Sequence, residues 1–223
     1  MNIKLFLEAI IKFLLGVILV GLLIFIPANT INYFNGWLFM GLLFIPMFIV
    51  GIIMMIKSPN LLKNRLDAKE KVGKQKLVVK LSGLMFILGF VIAGLNYRFN
   101  WIKLPNIFVI IGTIIFLLSY LLYAEVLREN AYLSRTIKVQ KGQKVIDTGV
   151  YSIVRHPMYL ATVFLFLSMP LILNSFISFI IFLIYPFIIA TRIKYEEQVL
   201  EKELEGYEKY QNKVKYKIIP FIW

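Results

Sequence analysis

The order of apolar and polar positions divides the chain into six long uncharged runs separated by charged segments. The runs cover residues 5–26, 37–56, 77–97, 104–127, 158–173 and 175–191. Spanning a hydrocarbon core of ~30 Å takes ~20 apolar residues, and the first four runs reach that length. The last two are shorter. They hinge at Asn174 and contain Pro170 and Pro186, so they are expected to form a tight helical hairpin, with Pro186 kinking its second arm. The fold class expected is all-α, a polytopic membrane protein of about six transmembrane helices.

The charges give this pattern a direction. Eight Lys and Arg lie in 57–80, six in 128–157, seven from 192 onward, and Lys4 and Lys12 lie near the start. Only Arg98 and Lys103 fall elsewhere, while the first loop and the Asn174 turn carry none. Alternating six spans gathers all the rich segments on one side. By the positive-inside rule that side is cytoplasmic, with both termini inside. An N-terminal signal peptide is not expected, because run 5–26 is too long for an h-region and Pro27-Ala28-Asn29 is a poor cleavage site. The organisation expected is a hairpin over 1–56, a basic cytoplasmic linker over 57–80, partly helical along the membrane surface, and a membrane region over 81–223 that holds the candidate site.

Composition narrows the chemistry. Hydrophobic residues make up 60% of the 223 residues, above the usual soluble range. The net charge of +13 is read as topological, meeting anionic membrane lipids rather than nucleic acid. With no cysteine and His156 as the single histidine, thiolate nucleophiles and multi-histidine metal sites are excluded. No G-x-G occurs, which removes the Rossmann fingerprint.

Two polar segments flank the short hairpin. Segment 136–159 carries the turn residues Gly142 and Gly149, β-like pieces such as 144–146, and Arg155-His156-Pro157 at the start of the fifth run. Proline is favoured at the first helical position. His156 is therefore expected at the cap, with free N–H groups near Met158 and Tyr159 forming an anion site. Beyond the sixth run, Arg192 and Glu196 share one helix face. A hairpin that enters and returns brings these segments together, clustering Tyr151, Arg155, His156, Tyr159, Arg192 and Glu196. The plainer alternatives are a topological anchor for Arg155, interfacial aromatics for Tyr151 and Tyr159, a simple cap for His156 and a solvated pair for Arg192 and Glu196.

The residues also match a family pattern. Gly149-Val150-Tyr151, then Arg155-His156-Pro157-Met158-Tyr159, the hairpin, Glu196-Glu197, Leu204-Glu205-Gly206-Tyr207, Tyr210 and Pro220-Phe221 together resemble the isoprenylcysteine carboxyl methyltransferase family. The wider group sharing the pattern includes phospholipid N-methyltransferases. The likeness covers roughly the C-terminal 120 residues. It implies methyl transfer from S-adenosylmethionine without a Rossmann domain, in a pocket under the polar loop and tail that faces the cytoplasm. Carried over by motif, Gln143, Lys144, Val145, Ile146, Tyr151, His156, Pro157, Met158, Tyr159 and Glu196 look like cofactor contacts, with Thr136 a more distant one. Arg192 looks like the catalytic, substrate-positioning arginine. Chemically, Arg155 and His156 suit the cofactor carboxylate, Glu196 the ribose hydroxyls or a positive charge, and the two tyrosines the adenine.

The family loop often has a histidine where Gln143 stands, and the Glu–Tyr region is one residue shorter here. The acceptor implied is lipophilic and reaches the site from the bilayer, with an isoprenoid or prenylated carboxylate preferred and a phospholipid amine as the alternative. The membrane expected is the cell membrane of a bacterium or archaeon. An NADPH-dependent sterol or enone reductase shares part of the pattern. Its longer H-P-N-Y-x-G-E run is replaced here by His156-Pro157-Met158-Tyr159-Leu160-Ala161, which disfavours it. A transporter or scaffold would need polar residues in mid-span, and Ser82, Asn96 and Ser119 are too sparse to suggest one.

Overall fold

Apolar runs in lipid satisfy their backbone groups internally, so each run that crosses becomes a helix. The computed structural model describes residues 3–67 and 73–223. The helices are α1 (Ile3–Ala28), α2 (Phe34–Lys57), α3 (Pro59–Leu66), α4 (Gly73–Phe99), α5 (Asn106–Glu129), α6 (Pro157–Ile172), α7 (Phe176–Phe182), α8 (Tyr185–Glu203) and α9 (Tyr207–Lys213), with a 3-10 turn at Gly149–Ser152. The described residues include no strand; the expected β-like pieces at 144–146 run as irregular chain without a pairing partner. The fold is an all-α polytopic membrane protein.

Among the described residues, five helical stretches are long and apolar enough to cross a membrane: α1, α2, α4 from Gln75, α5, and α7 joined to α8. The expected sixth crossing, α6, has 16 residues and rises about 24 Å, short of the ~30 Å core. It nevertheless runs between the two ends of the bundle. Its start lies beside the C-terminal tail, where the His156 N–H donates to Lys217 O at 2.8 Å. Its far end meets the opposite loops: Tyr33 Oη donates to Leu173 O, and Leu104 N–H donates to Asn174 Oδ1 at 2.7 Å. The hairpin is therefore present, and its second arm breaks at Leu183–Ile184 just ahead of Pro186. Proline has no N–H to donate to the turn before it, so the break falls where the sequence predicts it.

The basic segments gather at one end of the bundle. Lys12 Nζ donates to Leu66 O at 2.8 Å, which brings the start of α1 to α3. Asn64 Nδ2 donates to Gln140 Oε1 at 3.0 Å, which ties α3 to the 130–146 loop. The loop holding Arg98 and Lys103 lies at the other end, where Phe176 N–H reaches Ile102 O at 3.4 Å. The linker expected over 57–80 is shorter in the fold, because α3 occupies 59–66 and α4 begins at Gly73; its residues 68–72 lie outside the described residues.

The core is a chain of aromatic contacts. Phe86 packs on Phe166, Phe90 and Phe182 at ring-centroid distances of 4.7, 5.9 and 5.6 Å, and Phe39 packs on Phe90 and Phe116. Such pairs add to plain area burial. Gly112 lets α5 lie close on α6, since a Cβ there would sit 2.7 Å from Leu171 Cβ. Small residues permit this approach where lipid gives no hydrophobic drive between helices. The outer faces of α1 and α2 carry exposed Leu, Ile and Phe, as a lipid-facing surface does.

Candidate active site

A cavity of about 450 Å³ opens at the basic end, within the range of small-molecule sites. Its walls come from α3, α4, the 130–146 loop, the 3-10 turn, α6, α8 and α9. The twelve residues singled out from the sequence all line it: Gln143, Lys144, Val145, Ile146, Tyr151, Arg155, His156, Pro157, Met158, Tyr159, Arg192 and Glu196. Thr136 lines it too.

Glycine conformation shapes the loop. Gly149 has φ +48°, and its missing Cβ leaves room for the Glu129 carboxylate. That carboxylate accepts the Val150 N–H at 3.1 Å and starts the turn that points Tyr151 inward. Tyr151 is buried. Its hydroxyl accepts from Asn130 Nδ2 at 3.0 Å, and its carbonyl accepts from Tyr210 Oη at 2.7 Å. Burial pushes the Tyr151 hydroxyl well above the ordinary phenol range.

At the start of α6 the helix cap differs from the expectation. His156 is the N-cap residue and Pro157 follows it, but the histidine side chain makes no cap bond. The Tyr159 N–H, expected to be free for an anion, donates to His156 O at 3.0 Å. The imidazole instead turns to Glu197, with Nε2 3.1 Å from Oε1. Arg155 Nε donates to the same oxygen at 2.9 Å, and Lys217 Nζ stands 2.6 Å from Oε2. Arg155 Nη1 also donates to Val214 O and Lys215 O, at 2.7 and 2.9 Å. Glu197 thus clamps the motif to the C-terminal tail. The sequence reading took Glu196 and passed over Glu197. A signal was present, since Ile189, Ile193 and Glu197 recur at four-residue spacing and all three are buried, which puts Glu197 on the inward stripe.

Glu196 faces the cavity. It accepts from Tyr159 Oη, and Tyr159 Oη in turn accepts from Arg192 Nε at 2.9 Å. Arg192 also donates to Arg135 O at 2.8 Å and to Gln75 Oε1 at 3.4 Å. Gln75, from the first turn of α4, is fully buried. The expected Arg192–Glu196 proximity is therefore mediated by a tyrosine rather than being a simple solvated pair.

Other wall residues have no role assigned from the sequence, although Tyr207 belongs to the family pattern. Arg65 lies on α3, Arg135 and Asn130 on the loop, and Tyr207 on α9. These reach the cavity only through long-range packing. Tyr207 is 4% exposed, and its hydroxyl has no hydrogen-bond partner among the described residues. Burial, then the charges of Glu197 and Glu196, push that hydroxyl up, so it stays protonated and able to donate. A buried donor left unsatisfied is costly, and this one stands on the cavity wall.

Val78, Val79 and Phe86 of α4, Phe166 of α6 and Ile189 of α8 form an apolar flank of the same cavity. Polar groups and an apolar flank thus meet in one space. No curated protein matches the chain. Residues 107–206, which include most of the residues lining the cavity, match the phospholipid methyltransferase family, which is related to the isoprenylcysteine carboxyl methyltransferases.

Proposed function

We propose that this protein is an integral membrane methyltransferase that moves a methyl group from S-adenosylmethionine to a lipophilic acceptor, with the carboxylate of an isoprenoid or prenylated molecule as the preferred class. The observation that carries this reading is the convergence of the twelve motif residues on one cavity that also has an apolar flank. The residues fit the cofactor. Tyr151 and Tyr159 offer aromatic faces for its adenine, Glu196 an acceptor for its hydroxyls or its cationic groups, and the unpartnered Tyr207 hydroxyl a donor. The cofactor supplies an electrophilic methyl on a sulfonium.

The protein's part is to orient the acceptor in line with that methyl and to exclude water. Arg192 is suited to hold an acceptor carboxylate, because Tyr159, Gln75 and the Arg135 carbonyl fix its guanidinium and a planar fork matches a carboxylate. The acceptor's chain enters from the bilayer along α4, α6 and α8. The basic end is the cytoplasmic end by the charge rule, in the cell membrane of a bacterium or archaeon. The match to the phospholipid methyltransferase family favours a second reading, N-methylation of a phospholipid amine.

The test uses the full chain in detergent. S-adenosylhomocysteine at about 100 times its Kd should stabilise the fold by about 2.7 kcal/mol. Stabilisation by NADPH and not by S-adenosylhomocysteine would replace this proposal with a reductase. Mass spectrometry of lipids extracted after turnover separates a methyl ester from an N-methyl amine. Arg192→Lys should cut turnover about 100-fold while largely sparing cofactor binding; equal loss of both would remove the positioning role.

A further inference from the structure

We infer that Arg65 and Arg135 form a second anion-binding subsite, separate from Arg192, which takes a non-reacting carboxylate or phosphate on the acceptor's headgroup. This rests on the methyltransferase reading and deepens it, because it names the acceptor class: an amphiphile whose head carries an acidic group besides the atom that is methylated.

The geometry starts from the loop backbone. The Arg135 N–H donates to Asn64 O of α3 at 3.5 Å, and Arg192 of α8 donates to Arg135 O at 2.8 Å. The peptide carrying Arg135 is held from two sides. Arg65 points at the same stretch, with Nη1 3.4 Å from Ser134 O. Its Nη2 donates to Tyr123 Oη, and its guanidinium carbon lies 5.5 Å from the Tyr123 ring centre. Both side chains line the cavity.

The charges around them do not balance. Among the described residues, no carboxylate pairs with Arg65 or Arg135. Of the other basic groups on this wall, Arg155 is matched with Glu197 and Lys138 with Asp67 at 3.3 Å, while Lys144 also has no carboxylate partner among the described residues. Glu196, the single carboxylate on the cavity wall among the described residues, is bonded to Tyr159. Arg135 is solvent-exposed along the cavity, yet protein crowds it on its other sides. Burial, then the neighbouring Arg65 charge, lowers its proton affinity; Tyr123 acts the other way, and Arg192 lowers it further. Two like charges on one cavity wall are relieved by an anion bound there.

Loading the site sharpens the imbalance. S-adenosylmethionine adds an ammonium and a sulfonium against one carboxylate, and an apolar acceptor chain displaces water from the flank. Unpaired guanidinium groups are then costly. A single reacting carboxylate on Arg192 offsets one charge and is consumed in the reaction. Transfer forms the O–CH3 bond as the C–S bond breaks, the electron pair stays on sulfur, and a neutral ester and a neutral thioether result. An oxyanion on Arg65 and Arg135 survives that step and keeps the head in register throughout it. The same subsite serves if the methylated atom is an amine nitrogen.

The experiment measures equilibrium binding to the full chain in detergent, saturated with S-adenosylhomocysteine. The probes are dodecyl phosphate, dodecanoate and dodecylamine. Wild type should bind one or both anions at least about tenfold more tightly than the amine, as for a charge-assisted hydrogen-bonded pair. Arg65→Gln and Arg135→Gln should each weaken anion binding about tenfold, flatten its salt dependence and leave the amine unchanged. Arg135→Lys should recover part of the loss. The inference is overturned if the wild type prefers the amine or does not discriminate, a result that needs no variant to fold. It is also overturned if both glutamine variants bind the anions normally, or if they lose S-adenosylhomocysteine instead, which would assign the pair to the cofactor's carboxylate. Wild type that fails to bind S-adenosylhomocysteine at all counts against the methyltransferase reading, whatever the probes do.

Discussion

Replacing Glu197 by glutamine keeps the shape of the side chain and removes its charge. Three donors converge on this carboxylate: Arg155 at 2.9 Å, His156 at 3.1 Å and Lys217 at 2.6 Å. Side-chain exposure is 7% for Glu197 and 7% for Arg155, against 28% for Lys217. The Lys217 pair is partly in water and counts for little. The Arg155 pair is not, and breaking a buried pair costs about 3–5 kcal/mol because one charge is left uncompensated. Glutamine still offers one acceptor, so the low end applies, about 3 kcal/mol. For a chain of this size that lowers Tm by about 6–12 °C. Thermal unfolding of the purified full chain in detergent, followed by near-ultraviolet circular dichroism, reads the change. The adjacent Glu196→Gln is the control: Glu196 is half-buried and bonded to Tyr159, so it should cost no more than about 1 kcal/mol and act on cofactor binding instead. A fall of less than about 2 °C for Glu197→Gln, or equal falls for both variants, would refute the view that Glu197 fastens the motif to the tail.

Tyr207→Phe should raise the stability of the ligand-free protein by up to about 1 kcal/mol, since it deletes a buried unpaired hydroxyl, and should weaken S-adenosylhomocysteine binding about fivefold to tenfold; unchanged affinity would remove Tyr207 from the ligand contacts. Gly112→Ala places a methyl 2.7 Å from Leu171 Cβ and 3.2 Å from Ser168 O, and the same thermal assay should show a loss of about 1–3 kcal/mol from forced separation of α5 and α6. Gly51→Ala meets nothing within 4 Å and should be neutral or stabilising by up to about 1 kcal/mol through helix propensity.

The sequence by itself determined the membrane spans, because lipid cannot satisfy backbone groups and each long apolar run had to become a helix. It also determined the gathering of basic segments at one end, the break ahead of Pro186, and the set of motif residues that meet around one cavity. The first two depend on local composition, and the motif set on the family resemblance together with a short hairpin that leaves little choice of neighbours. Tertiary structure alone decided what each of the two adjacent glutamates bonds to. Successive helical residues point about 100° apart, so Glu196 turns toward Tyr159 while Glu197 turns under the motif. It also decided that Arg155 and His156 are shared with Glu197, and that Arg65, Arg135 and Tyr207 join the wall. Arg155 and Tyr216, whose backbones pair at 2.9 Å, are far apart along the chain, as are Arg65 and Ser134. Contacts at such separations follow from how whole helices pack, and periodicity within one helix carries no trace of them.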